Sequence, residues 1–110
     1  MSVMPEDQNI NATLKILTGK WKILILYSLY EGTKRFGELR RLIPKVTQRM
    51  LTNQLRELEE DRIIQRKVYA EVPPRVEYSL TDIGMTLKPV LIELKRWGAC
   101  YIMKCSSPEK

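Results

Sequence analysis

Ile10, Leu14 and Leu17 stand at i, i+4 and i+7, predicting an amphipathic helix that ends near Gly19, where a left-handed C-terminal residue is expected. From about Lys20 to Glu31 the next helix is apolar nearly all round, through Trp21, Ile23, Leu24, Ile25, Leu26, Tyr27, Leu29 and Tyr30, and stops at Gly32. Such a helix belongs at the centre of a fold. Phe36, Leu39, Leu42 and Ile43 share one face of a third helix, opposite Glu38, Arg40 and Arg41, and Pro44 closes it. Only Lys45 and Val46 separate Pro44 from Thr47, an N-cap for a fourth helix whose buried stripe is Leu51, Leu55 and Leu58. Two short helices joined by a tight turn make a helix-turn-helix.

At Ile63 to Tyr69 the period falls to two, and Val76, Tyr78 and Leu80 alternate again after a break, predicting a hairpin. Its tip, Ala70 to Arg75, is too long and proline-rich for a two-residue turn, so it projects as a stiffened loop. A projecting hairpin after a recognition helix is a wing. Thr81 reads as another N-cap, and Ile83, Leu87, Val90, Leu91, Leu94 and Trp97 continue at helical spacing, with Pro89 expected to kink or restart the helix.

The fold class is therefore α+β, mainly α: a winged helix-turn-helix with a two-stranded wing and extra N- and C-terminal dimerisation helices. Residues 1–110 form a single winged-helix DNA-binding domain, in which about 10–18 and 81–104 also form a dimer interface. The dimer follows from excess apolar surface, since the terminal stripes exceed what so small a core absorbs; Ile10, Leu14, Leu91, Leu94, Trp97 and Tyr101 are its candidates.

Charge sharpens the picture. Between Thr33 and Arg56 seven cations face Glu38 alone, so this segment carries as much net charge as the whole chain, +6. That concentration points to an anionic partner, double-stranded DNA. Side chains offering two coplanar hydrogen bonds read base edges, which selects Gln48, Arg49 and Asn53 with Thr52 beside them as base-reading candidates. Lys34, Arg35, Lys45, Thr47 and Arg56 are candidate phosphate contacts, and Lys67 and Arg75 are wing residues for the neighbouring minor groove or its phosphates. Each cation also has a plainer reading as solvated charge or salt bridge, Arg75 with Glu71 and Arg56 with Glu60 among them.

Other chemistry finds little support. The chain has no histidine, and Cys100 and Cys105, five positions apart, lack metal-site or redox-motif spacing. No metal or cofactor is expected, and no enzyme activity. Gly19-Lys20 resembles the end of a phosphate-binding loop, but Leu14 replaces its first glycine and Trp21 its Ser or Thr. Glu57, Glu59, Glu60 and Asp61 read as a solvated helix end rather than paired catalytic carboxylates. No apolar run is long enough for a membrane span, and Met1 to Asp7 carries no export signal, so the expected location is the cytoplasm, with the nucleoid.

The segments Gly19-Lys20-Trp21, Arg35 to Arg41, Leu51 to Glu59 and Glu71 to Thr81, in that order, resemble the HxlR-type winged-helix regulators of bacteria and archaea. The resemblance covers roughly Ala12 to Gly98 and implies a homodimeric repressor or activator, often responsive to reactive or toxic small molecules. Several members of that family carry a sensing cysteine just before the first helix; the corresponding place here is near Gln8-Asn9, so no thiol is available there. An unidentified small-molecule effector remains a further partner, with a pocket expected between the dimer helices and the winged core near Trp21, Tyr27, Trp97 and Tyr101. Because winged helices also serve other purposes, a protein- or RNA-interaction module and a non-specific architectural DNA binder stay open as alternatives.

Overall fold

The computed structural model describes residues 7–106, except the side chains of 105 and 106. The reading of Met1 to Glu6 and any role for the Cys105 thiol lie outside the described residues. The order is α1 (Gln8–Leu17), α2 (Lys20–Tyr30), α3 (Phe36–Leu42), α4 (Gln48–Glu60), β1 (Ile64–Tyr69), β2 (Arg75–Leu80), α5 (Asp82–Met85) and α6 (Lys88–Ser106).

Helices α1, α4 and α5 begin where short polar side chains satisfy their first free N–H groups. Asp7 Oδ1 accepts from Ile10 N at 3.0 Å, Thr47 Oγ1 from Met50 N at 3.1 Å, and Thr81 Oγ1 from Gly84 N at 3.1 Å. Gly19 has a positive φ of +103°, as its position suggested, but it opens α2; Thr18 ends α1. Pro89 sits in the first turn of α6, so the helix restarts there and is not kinked.

Buried Ile25, Leu26 and Leu29 of α2 meet Leu39 of α3, Leu51, Leu55 and Leu58 of α4, and Ile64 at the base of the wing in one core. Ile43 and Val46, also buried, pin the turn between α3 and α4 from inside. The end of α4 is closed by two hydrogen bonds, Arg62 N to Glu59 O and Ile63 N to Leu58 O, with Arg62 left-handed at φ +64°.

The wing pairs antiparallel from Ile64 with Leu80 to Tyr69 with Arg75. Its two strands gain a partner that periodicity did not indicate: Lys34 makes a single bridge to Tyr78, with N···O distances of 3.0 and 2.8 Å. This ties the residue just before α3 to the middle of β2. At the base of the hairpin, Thr81 N donates to Ile63 O at 3.1 Å, closing the stem. Gly84 packs against that stem, and its carbonyl accepts from the Tyr30 hydroxyl at 2.6 Å.

The terminal helices divide differently from expectation. Leu91 is only 1% exposed and lies in the chain's own core, with the Tyr27 hydroxyl donating to its carbonyl. It is therefore corrected from a dimer-interface candidate to a core residue: the helical stripe marked it as buried but did not say against which chain. Ile10, Leu14, Leu94, Trp97 and Tyr101 remain exposed, Trp97 at 67%. The molecule measures 59 × 36 × 23 Å with a radius of gyration of 16.6 Å, against about 13 Å for a compact chain of roughly this length.

The acidic end of α4 is also corrected. It is not simply solvated: Lys22 of α2, 5% exposed, reaches Glu57 Oε1 at 2.6 Å, Asp61 meets Lys15 at 3.7 Å, and Glu59 meets Arg66 at 3.5 Å. Removing one partner of a buried ion is costlier than replacing the ion with apolar volume. Glu57→Ala is therefore expected to destabilise by about 2 kcal/mol, and Lys22→Met by less. Urea denaturation of both variants checks this, and equal losses would deny the asymmetry.

Candidate nucleic-acid interface

Helical geometry turns the side of α4 opposite Leu51, Leu55 and Leu58 outward, and that side carries Arg49, Asn53 and Arg56, all exposed. Gln48 is exposed in the first turn, while Thr52 is half-buried and leans toward the wing. Among the described residues no acid pairs with Arg49 or Arg56. Their guanidinium groups keep their donors for a partner, and no neighbouring acid offsets their charge by ion pairing.

Lys45 and Thr47 are exposed in the turn immediately ahead of α4, and Thr47 also caps it. Arg35 is exposed at the start of α3, where its backbone N–H donates to Glu38 Oε1 at 2.8 Å. Lys34 is half-buried, anchored through its backbone to Tyr78, with Nζ 3.5 Å from Gly32 O.

On the wing, Lys67 Nζ and the Arg75 guanidinium lie 4.9 and 3.9 Å from the Tyr69 ring centre. Arg75 is held further by Glu71 and Glu77, each at 3.5 Å. The Glu71 pairing is the plainer reading of this arginine. Lys67 is exposed and, among the described residues, in no ion pair, so it is the freer of the two wing cations.

Two residues absent from the sequence-based set complete the surface between helix and wing. Arg66 and Tyr78 face each other across β1 and β2, and Arg66 Nε is 3.5 Å from Glu59 Oε1 on α4. With Thr52, Leu55, Arg56 and Glu59 they line a cavity of about 200 Å³. Burial pushes the Tyr78 hydroxyl above its ordinary pKa of 10.0, with Glu59 adding to the rise and the two arginines opposing it, so the group is a hydrogen-bond donor at neutral pH. The cross-strand register was the only sequence signal for this pair.

The expected effector pocket is not assembled as read. Trp21 and Tyr27 line an open groove of about 510 Å³ with Leu24, Leu42, Pro44 and Lys45 among its other walls. Trp97 and Tyr101 are not part of it; they stack on each other, 5.2 Å between ring centres, on the outer length of α6. Cys100 is exposed on α6. Among the described residues no cluster of metal-ligating side chains occurs, and no helix is long and apolar enough to cross a membrane.

Comparison with known proteins gives concordant results. Residues 16–106 match the model of the HxlR-like helix-turn-helix family. The chain is 59% identical over 92 residues to YdeP, an uncharacterized HTH-type transcriptional regulator of Bacillus subtilis (strain 168), covering 84% of this chain and 72% of that one. It is 50% identical over 93 residues to an uncharacterized HTH-type transcriptional regulator of Methanothermobacter thermautotrophicus, covering 84% of this chain and 71% of that one. Among solved structures it is similar to the redox regulator HypR in its oxidized form, with 52% identity and a TM-score of 0.80 over 84% of this chain and 95% of that one.

Proposed function

The chain belongs to the HxlR-like helix-turn-helix family of transcriptional regulators, and from that premise we propose that it binds duplex DNA sequence-specifically as a homodimer. The observation that carries this reading is the outward side of α4. Arg49 and Asn53, with Gln48 in the first turn, stand on a capped helix whose opposite side is locked into the core by Leu51, Leu55 and Leu58. A major groove about 12 Å wide admits such a helix, and these side chains can each make two hydrogen bonds to one base. Lys45, Thr47, Arg35 and Arg56 then serve as phosphate contacts that set register, and Lys67 serves the wing in the adjacent groove.

The dimer reading rests on the unpartnered apolar residues of α1 and α6, Ile10, Leu14, Leu94, Trp97 and Tyr101. A two-fold pair joined there presents two copies of α4 to half-sites about 34 Å apart. The redox role in HypR's name does not carry over through the place where related proteins hold a sensing thiol, because Gln8 and Asn9 stand there.

Selection of bound duplexes from a random pool at near-physiological salt tests the reading. A two-fold symmetric consensus with half-sites one helical turn apart is the expected result. Binding without preference would replace it with an architectural role, and no duplex binding with an RNA- or protein-interaction module.

A further inference from the structure

We propose that the cleft between α4 and the wing seats one phosphodiester of the DNA backbone, with Arg66 and Tyr78 joining Arg56 and Thr52 as its donors. The proposal rests on the duplex-binding reading and deepens it by assigning a phosphate site to two residues that family likeness and charge clustering leave unassigned.

The first support is the hydrogen-bond inventory of the cavity that these four residues line with Leu55 and Glu59. Among the described residues Arg56 has no acidic partner, and Arg66 pairs with Glu59 through Nε at 3.5 Å. The hydroxyls of Thr52 and Tyr78 have no hydrogen-bond partner among the described residues. Donors thus converge from two elements on a space that offers one carboxylate as acceptor. Polar groups so placed are satisfied by water or by an incoming ligand rich in acceptors.

The second support is charge. Two guanidinium groups against one carboxylate leave a single net positive charge at the cleft, which complements the single negative charge of a phosphodiester. A planar guanidinium matches phosphate oxygens with parallel N–H donors. Glu59, by holding Arg66 toward α4, orients that guanidinium before DNA arrives and limits the freedom lost on binding.

The third support is geometric. When a recognition helix occupies the major groove and a wing reaches the adjacent minor groove, the strand that separates the two grooves runs between helix and wing. In this fold the space between them is the cleft of Thr52, Arg56, Arg66 and Tyr78. The Lys34–Tyr78 bridge fixes β2 relative to the start of α3, so the cleft is held in shape from a third side.

The test uses the full chain and the duplex recovered by selection, with binding measured across a salt series for wild type, Arg66→Gln and Tyr78→Phe, and with wild type on duplexes carrying one neutral methylphosphonate linkage at each position in turn. Arg66→Gln should weaken all sequences alike, roughly tenfold, and reduce the slope of log affinity against log salt by about 0.9. Tyr78→Phe should weaken binding several-fold without changing base preference. One linkage between the major-groove half-site and the neighbouring minor groove should reduce wild-type affinity when neutralised, and the same duplex should cost Arg66→Gln less than it costs wild type, because Arg56, Thr52 and Tyr78 still face that phosphate. An unchanged salt slope in a folded Arg66→Gln protein overturns the seat, as does a change in base preference at one position. If Arg66→Gln does not fold, the linkage scan on wild type decides alone, and the absence of any sensitive linkage between the grooves overturns the proposal. Wild type that selects no duplex refutes the regulator reading and the seat together; wild type that selects a site while these arms fail refutes the seat only.

Discussion

Alanine at position 84 should destabilise the protein by about 3 kcal/mol and lower its melting temperature by on the order of 15 °C. A Cβ built on Gly84 falls 2.1 Å from the carbonyl oxygen of Ile63, far inside contact distance, and the obstacle is backbone rather than a flexible side-chain end. That carbonyl cannot simply move aside, because it accepts from Thr81 N and lies beside the closure of α4. Gly84 is constrained on its other side as well, through the Tyr30 hydroxyl on its own carbonyl. Relief of the clash therefore means opening the stem of the wing or losing the contact with α2. Circular dichroism melts of wild type and Gly84→Ala at matched protein concentration decide it, since any self-association makes a melting point depend on concentration. A variant melting within two or three degrees of wild type, about half a kcal/mol, would mean that α5 shifts freely against the stem.

The largest effect on recognition is expected from Arg49→Ala. Arg49 is exposed in the first turn of α4 and without an acidic partner among the described residues, and a guanidinium so placed can span the two acceptors on the major-groove edge of guanine. Its loss should relax discrimination at one base pair by roughly 1 to 3 kcal/mol while leaving preference elsewhere in the site intact. Lys45→Ala makes the contrast. Lys45 stands in the turn before the cap, and its loss should weaken every sequence alike and reduce the salt slope by about one unit. Competition binding with a panel of single-base variants at two salt concentrations separates the two patterns. If both substitutions weakened all sequences equally, the division of labour between α4 and its preceding turn would be wrong.

What the sequence disclosed and what it withheld follow from the range of the interactions involved. Thr47 and Thr81 act on N–H groups three residues away, so their capping roles were visible in the local order of residues. The stripe of α4 was equally plain, because a helix repeats its buried side every three or four positions; in α3 Leu39 and Ile43 are buried as their spacing suggested, whereas Leu42 on the same face is exposed. Lys22 with Glu57, Arg66 with Glu59 and Lys34 with Tyr78 were not visible. In each case the contact depends on how two elements pack, and no periodicity in either one records it. Leu91 shows the same limit within a stripe that was otherwise read correctly as apolar.

The candidate interface divides along the same line. Gln48, Arg49, Asn53, Lys45 and Arg35 could be selected from charge and helical phase alone, and all are exposed in the fold. Arg75 could not be resolved that way, since only the folded hairpin places Tyr69, Glu71 and Glu77 around it. Arg66 escaped notice because its significance depends on a cross-strand neighbour and on a helix that precedes the strand.

The chain enters the hairpin at Ile63 and leaves it at Thr81, and these two residues are hydrogen-bonded to each other. The lower half of the hairpin is also anchored sideways, by Ile64 in the core, by the Lys34 bridge to Tyr78 and by Arg66 against Glu59, so its outer half, from Lys67 to Glu77, is the part free of these ties. Length and composition at the tip are therefore decoupled from the packing of the helices, since loop tips tolerate change where their backbone is neither buried nor tied to other elements. A longer or shorter tip changes how far the hairpin reaches without repacking the helices, provided that the position opposite Lys34 keeps a backbone able to bridge it and Gly84 stays a glycine.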